Sequence, residues 1–229
     1  MIEPARPRQL PLELGHSPAF SRDDLVITPA NASAVALIDR WPDWPGPLAV
    51  LFGPAGSGKT HLGEVWRRRS GAALLDRHAL SGPLAPQPVL VDDVDAGELD
   101  ETGLFHLVNA ARQSGTHVLL LARRPPAAWP VTLPDLASRL RAATLVEVRE
   151  PDDMLLAGVI TKLFADRQVD IEPQVVEFLV RRIERSLAAA MAMVERLDRA
   201  ALEQKARITR SLAAGLMRND ALQDDEAAS

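Results

Sequence analysis

The fold of this chain is decided by the stretch LAVLFGPAGSGKTHL, residues 48–62. The apolar run LAVLF predicts a buried strand. The next eight letters, GPAGSGKT, match the phosphate-binding loop pattern G-x-x-x-x-G-K-[ST] in its strand-then-helix context. Glycines let backbone N–H groups close around phosphate oxygens, the lysine neutralises the terminal phosphates, and the threonine hydroxyl ligates Mg²⁺. The sequence therefore predicts a site for a nucleotide, ADP or ATP, with Mg²⁺; a Gly-rich turn without a ligand is the alternative.

Lysine usage supports this interpretation. Only three of the 26 Lys and Arg residues are lysines, and Lys59 is the first of them along the chain. A chain that otherwise uses arginine has lysine where a planar guanidinium would not fit. The residues of this stretch that we expect to contact the nucleotide are Gly53, Pro54, Ala55, Gly56, Ser57, Gly58, Lys59, Thr60 and His61.

The composition limits the remaining classes of protein. The chain has 229 residues, a formal net charge of −5, a pI of about 5.6 and no cysteine. The acidic balance argues against direct, sequence-specific DNA binding. The lack of cysteine excludes disulfides and the usual zinc frameworks. No apolar run approaches the roughly 20 residues of a membrane span, and the Pro-rich N-terminus does not resemble a signal peptide. We expect a soluble, cytoplasmic protein without a membrane partner.

The order of patterns along the chain predicts two folded parts. Residues 21–150 alternate apolar strands with helices, which is typical of an α/β domain with a mostly parallel sheet flanked by helices. Residues 151–217 are predicted to form a small all-α lid, with an apolar stripe at Leu187, Met191, Val194 and Leu197. Residues 1–20 form an extended tail in this interpretation, and the acidic residues 218–229 a disordered one.

A second phosphate-site element is predicted at VLVDDVD, residues 89–95. In a parallel sheet the carboxyl end of this strand lies beside the loop, where a carboxylate can hold the metal's water shell. Asp92 is assigned that role. Asp93 stands where many related ATPases have a glutamate that activates water, and its side chain is one methylene shorter. The alternative is that both acids merely end a strand.

Three motifs in this order, GPAGSGKTHL, VLVDDVD and LPDLASRL (133–140), followed by a helical lid, resemble the AAA+ family core of the DnaA replication initiators and of their shorter relatives, the Hda regulators. The resemblance covers roughly residues 22–215. DnaA proteins continue into a helix-turn-helix DNA-binding domain, and too few residues follow the lid here for one. We therefore expect the chain to be more similar to Hda than to DnaA.

The tail carries a second resemblance to Hda proteins. The segment QLPLEL, residues 9–14, is similar to the QLxLxL peptide with which they bind the sliding clamp, the beta subunit of DNA polymerase III. Such a peptide lies extended in an apolar groove. The implied clamp-binding residues are Gln9, Leu10, Leu12 and Leu14. Chance alternation of leucines is the alternative.

The resemblance also implies roles for two arginines. Arg139 in LPDLASRL matches the arginine finger, which reaches across a subunit interface to the γ-phosphate of a neighbour's ATP. Its alternative is an ion pair with Asp135, four residues earlier. Arg185 matches the second sensor arginine, which touches phosphate in cis; a solvated charge at a helix start is its alternative.

The family's adenine pocket is lined by the stretch that here contains Val26 and Ile27, which could equally be core residues. One departure concerns the family's first sensor. Where DnaA has TSDR, this chain has Leu121-Ala122-Arg123-Arg124. With Asp93 in place of glutamate, this predicts weak intrinsic ATP hydrolysis and intact nucleotide binding.

The resemblance thus implies a nucleotide-bound regulator, carrying ADP, that is tethered to the clamp and stimulates ATP hydrolysis by DnaA, converting the initiator to its inactive form. The alternative is a DnaA-like ATPase that loads or remodels a replication protein by its own turnover. A small-molecule kinase is a third hypothesis, for which the lid offers no evident acceptor site. Whether the chain forms a homo-oligomer stays open.

Overall fold

The computed structural model describes residue 22, residues 25–80 and residues 86–227, with side chains described up to residue 218. The strands are β1 (Leu48–Phe52), β2 (Ala73–Leu75), β3 (Val89–Val91), β4 (Val118–Ala122) and β5 (Thr144–Glu147). They form one parallel sheet in the order β2-β3-β4-β1-β5. The carboxyl ends of β1, β3 and β4 therefore meet at one edge of the sheet.

Helices cover both faces of this sheet. They are α1 (Ala32–Arg40), α2 (Lys59–Ser70), α3 (Glu101–Ser114) and α4 (Pro134–Arg141). Side chains alternate along each strand, so Val50 packs in the core with α3 and α4, and Leu51 packs in the core with α1 and α2. Strands buried on both faces read as continuous apolar runs, which is why LAVLF could be recognised as a strand. The predicted α/β class is confirmed.

The lid consists of α5 (Asp153–Asp166), α6 (Pro173–Val180), α7 (Leu187–Gln204) and α8 (Arg210–Ala227). It has its own apolar core, in which Phe164 and Leu197 are fully buried. The predicted stripe on α7 is wrong at Met191, which is 40% exposed. The buried side of α7 instead contains Ala190 and Met193, because the helical period brings these positions to the same face as Val194 and Leu197.

Helix α8 runs past residue 217, where the sequence predicts that the lid ends. The backbone is helical to Ala227, although the acidic composition predicted a disordered segment from residue 218. Alanine, leucine, glutamine and glutamate are strong helix formers, and this explains the continuation. No helix in the described part of the chain is long and apolar enough to cross a membrane.

Candidate functional site

The predicted phosphate-binding loop joins β1 to α2 through three glycines with positive φ. The φ angles are 156° at Gly53, 73° at Gly56 and 96° at Gly58, which is the residue before α2. At Gly53 there is also no room for a side chain, because a Cβ would lie 2.0 Å from the carbonyl oxygen of Val148. Left-handed conformations and close approach both require glycine here. The loop is thus the backbone cradle that the pattern predicts.

The Lys59 side chain turns back over this loop. Its Nζ donates hydrogen bonds to the carbonyl oxygens of Gly53 (2.9 Å) and Pro54 (2.7 Å), and the residue is only 7% exposed. Within the described residues, no carboxylate lies within 4.0 Å of Nζ, so the ammonium has neutral partners. A buried cation without a counter-ion is costly, and an anionic ligand would remove that cost. This observation shows that the loop fits a phosphate.

The charges around Lys59 come from the neighbouring strand ends. Burial lowers the pKa of the Lys59 ammonium below its ordinary value, and the carboxylates of Asp93 and Asp92 oppose this shift. The charge of Arg123 lowers the pKa further. Lys59, both predicted acids and Arg123 therefore share one electrostatic site at the carboxyl edge of the sheet. Asp92 and Asp93 follow β3, whose carboxyl end lies at the same edge of the parallel sheet as the carboxyl end of β1.

The other loop residues differ in their exposure. Ser57 is buried, and its Oγ lies 3.4 Å from Nζ of Lys59. Thr60 is exposed, so its hydroxyl is free to reach a metal ion, and His61 is half-buried in the first turn of α2. Pro54 and Ala55 are exposed at the tip of the loop. No cluster of three metal-ligating side chains occurs among the described residues. Mg²⁺ at such a site is usually held by one or two protein ligands together with phosphate and water.

Asp95 is a third acid that sequence reasoning missed. Its buried carboxylate accepts hydrogen bonds from the backbone N–H groups of Arg123 (2.8 Å) and Arg124 (3.0 Å). It thereby fixes the residues that follow β4. Asp93, by contrast, has a φ of 49°, and its Oδ1 lies 3.5 Å from Nε of Arg123. Backbone conformations of this kind at non-glycine residues occur mostly at functional sites, and Asp93 has one of them.

Helix α7 of the lid begins directly on the loop. The backbone N–H of Leu187 donates a hydrogen bond to the carbonyl oxygen of Gly56 (2.8 Å), and a Cβ on Gly56 would lie 2.3 Å from Cβ of Ser186. Ser186 in turn caps α7, since its Oγ accepts from the N–H of Ala189 at 3.0 Å. No pattern in the sequence pointed to this contact. It places the N-terminus of α7 at the phosphate loop.

Arg185 precedes this helix start, at the position predicted for a phosphate contact in cis. In the structure its Nη2 forms an ion pair with Oδ1 of Asp153 (2.8 Å), the first residue of α5. Both side chains are more than half exposed, at 56% and 63%, so the alternative of a solvated charge at a helix start stays open. Asp153 is a second residue that sequence reasoning missed in this role, because the two lie far apart in the chain.

The stretch predicted to line the adenine pocket is held by the side chain of Asn31. Its Oδ1 accepts a hydrogen bond from the N–H of Thr28 (2.9 Å), and its Nδ2 donates one to the carbonyl oxygen of Val26 (2.8 Å). Val26 packs against α5 of the lid, since a Cβ on Gly158 would lie 2.7 Å from its Cγ1. Ile27 is 48% exposed. The alternative that both are core residues is therefore wrong for Ile27.

Arg139 lies on α4, apart from this site. Its guanidinium carbon is 5.4 Å from the ring centroid of Phe105 on α3, and its Nε is buried without a hydrogen-bond partner. No ion pair joins Arg139 to Asp135 in the part of the chain that the structure describes, so the predicted alternative is wrong. The residues predicted to bind the clamp, Gln9, Leu10, Leu12 and Leu14, lie outside the described residues.

Four features together define a P-loop protein of the AAA+ class. They are a glycine-rich loop at the end of a central parallel strand, a buried lysine, acids at the carboxyl edge of the sheet and a helical lid. A model of the Hda lid domain matches residues 159–213. The DnaA of Thermomicrobium roseum is 28% identical over 90% of this chain, which spans 51% of that relative's length. Together these likenesses support a relation to the Hda/DnaA-related AAA+ proteins.

Two solved structures have the same fold. Domain III of the Thermotoga maritima DnaA superposes with a TM-score of 0.72 at 17% identity, covering 88% of this chain and 97% of that one. The AMPPCP-bound DnaA of Aquifex aeolicus superposes with a TM-score of 0.69 at 16% identity, covering 91% of this chain and 70% of that one.

Proposed function

We propose that this chain is a regulator of replication initiation that binds adenine nucleotide with Mg²⁺ in the cytoplasm. It holds ADP in the loop at Lys59, attaches to the sliding clamp through residues 9–14, and docks on ATP-bound DnaA. It then stimulates hydrolysis of the initiator's ATP and converts DnaA to the inactive ADP form. The proposal combines the site geometry with the Hda-type lid and the DnaA-related sequence.

The observation that carries the proposal is the state of Arg139. Its guanidinium has neither an ion pair nor, at Nε, a hydrogen bond within the described residues, and it rests on the aromatic ring of Phe105. An arginine that served only the stability of its own helix would take the carboxylate of Asp135. An arginine held without an anion is suited to accept one from a neighbouring molecule, where it would stabilise charge on a γ-phosphate.

Two features of the site support stimulation of a partner over turnover by the chain itself. Asp93 is shorter than the usual glutamate and lies beside a cation, Arg123. Arg123 stands where the family has an acid that orients water. We therefore expect the isolated protein to hydrolyse ATP more slowly than the ordinary enzyme range, which begins at about 1 s⁻¹.

The test is single-turnover ATP hydrolysis by purified DnaA with DNA-loaded clamp, with and without this protein. We expect acceleration that disappears in Arg139→Ala and stays in Arg141→Ala, a control on the same helix. No acceleration by the wild-type protein, together with its own turnover of several per second, would instead favour the loader or remodeller hypothesis.

A further inference from the structure

The charge of the chain is unevenly distributed, and its positive part lies in the lid. Residues 181–218 contain nine Arg and Lys residues against four Asp and Glu residues, in a chain whose net charge is −5. Eight of the nine are arginines. Such an asymmetry along a chain indicates contact with a polyanion. The second half of the lid is therefore the part of this acidic chain that suits an anionic partner.

Two of these arginines meet on one aromatic ring. Arg182 follows α6 and Arg210 is the first residue of α8, and their guanidinium carbons lie 4.1 Å and 5.1 Å from the ring centroid of Phe178. Both arginines are exposed, and neither forms an ion pair with a carboxylate of the described residues, whereas Arg167 and Arg185 in the same lid each pair with an aspartate. The ring thus holds two positive charges close together without neutralising either.

A groove follows directly from this pair, because Arg210 stands between two of its lining residues. It runs from the end of α7 along the first half of α8 and has a volume of about 550 Å³. Among the described residues that line it there is no Asp or Glu. Its polar side chains are all able to donate hydrogen bonds, and they belong to Gln204, Arg207, Thr209, Ser211 and Arg218. Acids line a neighbouring groove instead, namely Asp170, Glu172 and Asp198.

The charges at the start of α8 oppose the helix dipole. The N-terminus of a helix carries a partial positive charge, which favours acids in the first turn. Helix α8 begins at Arg210, has no acid in its first turn and follows Arg207. The positive side chains therefore repel each other and the helix end, and a bound anion would relieve both repulsions. The planar guanidinium group also matches the oxygens of a phosphate.

We propose that Arg182, Arg207, Arg210 and Arg218 form a basic lid surface that binds the phosphate backbone of duplex DNA without reading its sequence. A duplex offers a row of phosphates, so it can contact the pair on the Phe178 ring and the groove arginines together. The groove lies at the C-terminal end of α7, and the phosphate loop contacts the other end of this helix, about 27 Å away for 18 residues. A bound duplex and a bound nucleotide therefore do not exclude each other.

This inference goes beyond the proposed function and does not depend on the nucleotide or on the action on DnaA. It gives the chain its own contact with the DNA on which the clamp is loaded. The acidic net charge is consistent with it, because contact with the backbone needs a local positive surface rather than a basic protein.

The test is fluorescence anisotropy of a labelled duplex of about 30 bp and random sequence, titrated with the full chain between about 50 and 200 mM salt. We expect binding that weakens as salt rises, with a slope of log K against log salt of roughly −2 to −4 for two to four phosphate contacts. The double variant Arg182→Gln with Arg210→Gln keeps the aliphatic stems, and it should bind about tenfold more weakly with a slope about 2 units smaller. Arg207→Gln with Arg218→Gln should act in the same way.

The matched control is Arg112→Gln, which removes an exposed arginine from the last turn of α3 and should keep the affinity within about twofold. Three results would overturn the inference: no duplex binding by the wild type at the lowest salt, an equal loss in Arg112→Gln, or binding of poly-L-glutamate in place of the duplex. Calorimetric titration of both double variants with ADP should give the wild-type affinity. Failure of the inference leaves the proposed function standing, because Lys59 and Arg139 take no part in the basic lid surface.

Discussion

The guanidinium of Arg139 on α4 lies over the ring of Phe105 on α3, with 5.4 Å between the guanidinium carbon and the ring centroid. The aromatic face attracts the cation without neutralising it, so Phe105 directs the arginine while leaving its charge available. This makes Phe105 a positioning residue for the proposed action on DnaA.

Replacing Phe105 by leucine keeps an apolar side chain and removes the aromatic face. We expect Phe105→Leu to reduce the stimulation of DnaA hydrolysis about threefold, the equivalent of roughly 0.5–1 kcal/mol for a cation–π contact. Arg139→Ala should lose on the order of 10³-fold. Single-turnover assays give both values. Arg139→Lys, made in the wild type and in Phe105→Leu, shows whether loss of the Phe105 ring lowers the stimulation only when residue 139 is arginine. Full activity of Phe105→Leu would show that the ring does not position the arginine.

Removal of the loop lysine should weaken nucleotide binding without unfolding the protein. Lys59→Ala takes away the buried cation that has neutral partners only, so its loss costs charge compensation at the phosphates rather than packing. Isothermal titration with ADP and ATP measures this. Lys162→Ala serves as the control, because Lys162 lies in the lid and pairs with Asp166 at 3.1 Å. A wild-type affinity weaker than about 100 μM, or roughly −5.5 kcal/mol, would count against the site.

A methyl group at Gly56 should push the lid away from the loop. The φ of 73° makes Gly56→Ala strained by itself, and the new Cβ would collide with Ser186. Gly71 has a similar φ of 68° with nothing within 4 Å, so Gly71→Ala measures the conformational term alone, about 1 kcal/mol. We expect Gly56→Ala to cost about 1–3 kcal/mol more in urea unfolding and to weaken nucleotide binding. Equal costs for the two variants would mean that the lid contact adjusts freely.

The ion pairs of Glu64 on α2 are expected to lose their stabilising effect in acid. Hydrogen bonds from Arg67, assisted by Arg68, lower the pKa of Glu64 from 4.5 to about 2. Because this folded-state pKa lies below the ordinary one, the stabilisation is fully present above pH 4.5 and is lost as the pH falls toward 2. Glu64→Gln should therefore reduce the free energy of unfolding by about 1 kcal/mol at pH 7. The two proteins should converge in acid; a difference that stays constant down to pH 3 would contradict this.

The tail and the nucleotide site should be separable. The double substitution Gln9→Ala with Leu12→Ala is expected to abolish clamp binding and to leave nucleotide affinity unchanged, because the docking peptide acts through its own side chains. Surface plasmon resonance on immobilised clamp measures the first and titration the second. Normal clamp binding by the double variant would refute the proposed role of residues 9–14.

Local patterns were sufficient for the framework of the site. The strand LAVLF, the glycine loop, the helix that begins at Lys59 and the acids after VLV each occupy one short segment, and the parallel sheet then brings their ends together. The fold class and the family therefore followed from the sequence.

The partners of the charged residues did not follow. Asp95 bonds to the N–H groups of Arg123 and Arg124, which lie 28 and 29 residues away, and Arg185 pairs with Asp153 across the lid. Phe105 and Arg139 are likewise on different helices. No spacing rule connects such residues, since only packing of the whole domain decides which side chains meet. The same limit explains why Arg139 could not be distinguished in advance from a local partner of Asp135.

The hydrogen bond from the N–H of Leu187 to the carbonyl oxygen of Gly56 couples the lid mechanically to the phosphate loop. A displacement of α7 would act on this carbonyl group of the loop and would thereby change the contacts of a bound nucleotide. A molecule that binds the lid would thereby change the affinity of the site for nucleotide. Because coupling between two binding events is reciprocal, the bound nucleotide would change the affinity of the lid for that molecule by the same factor.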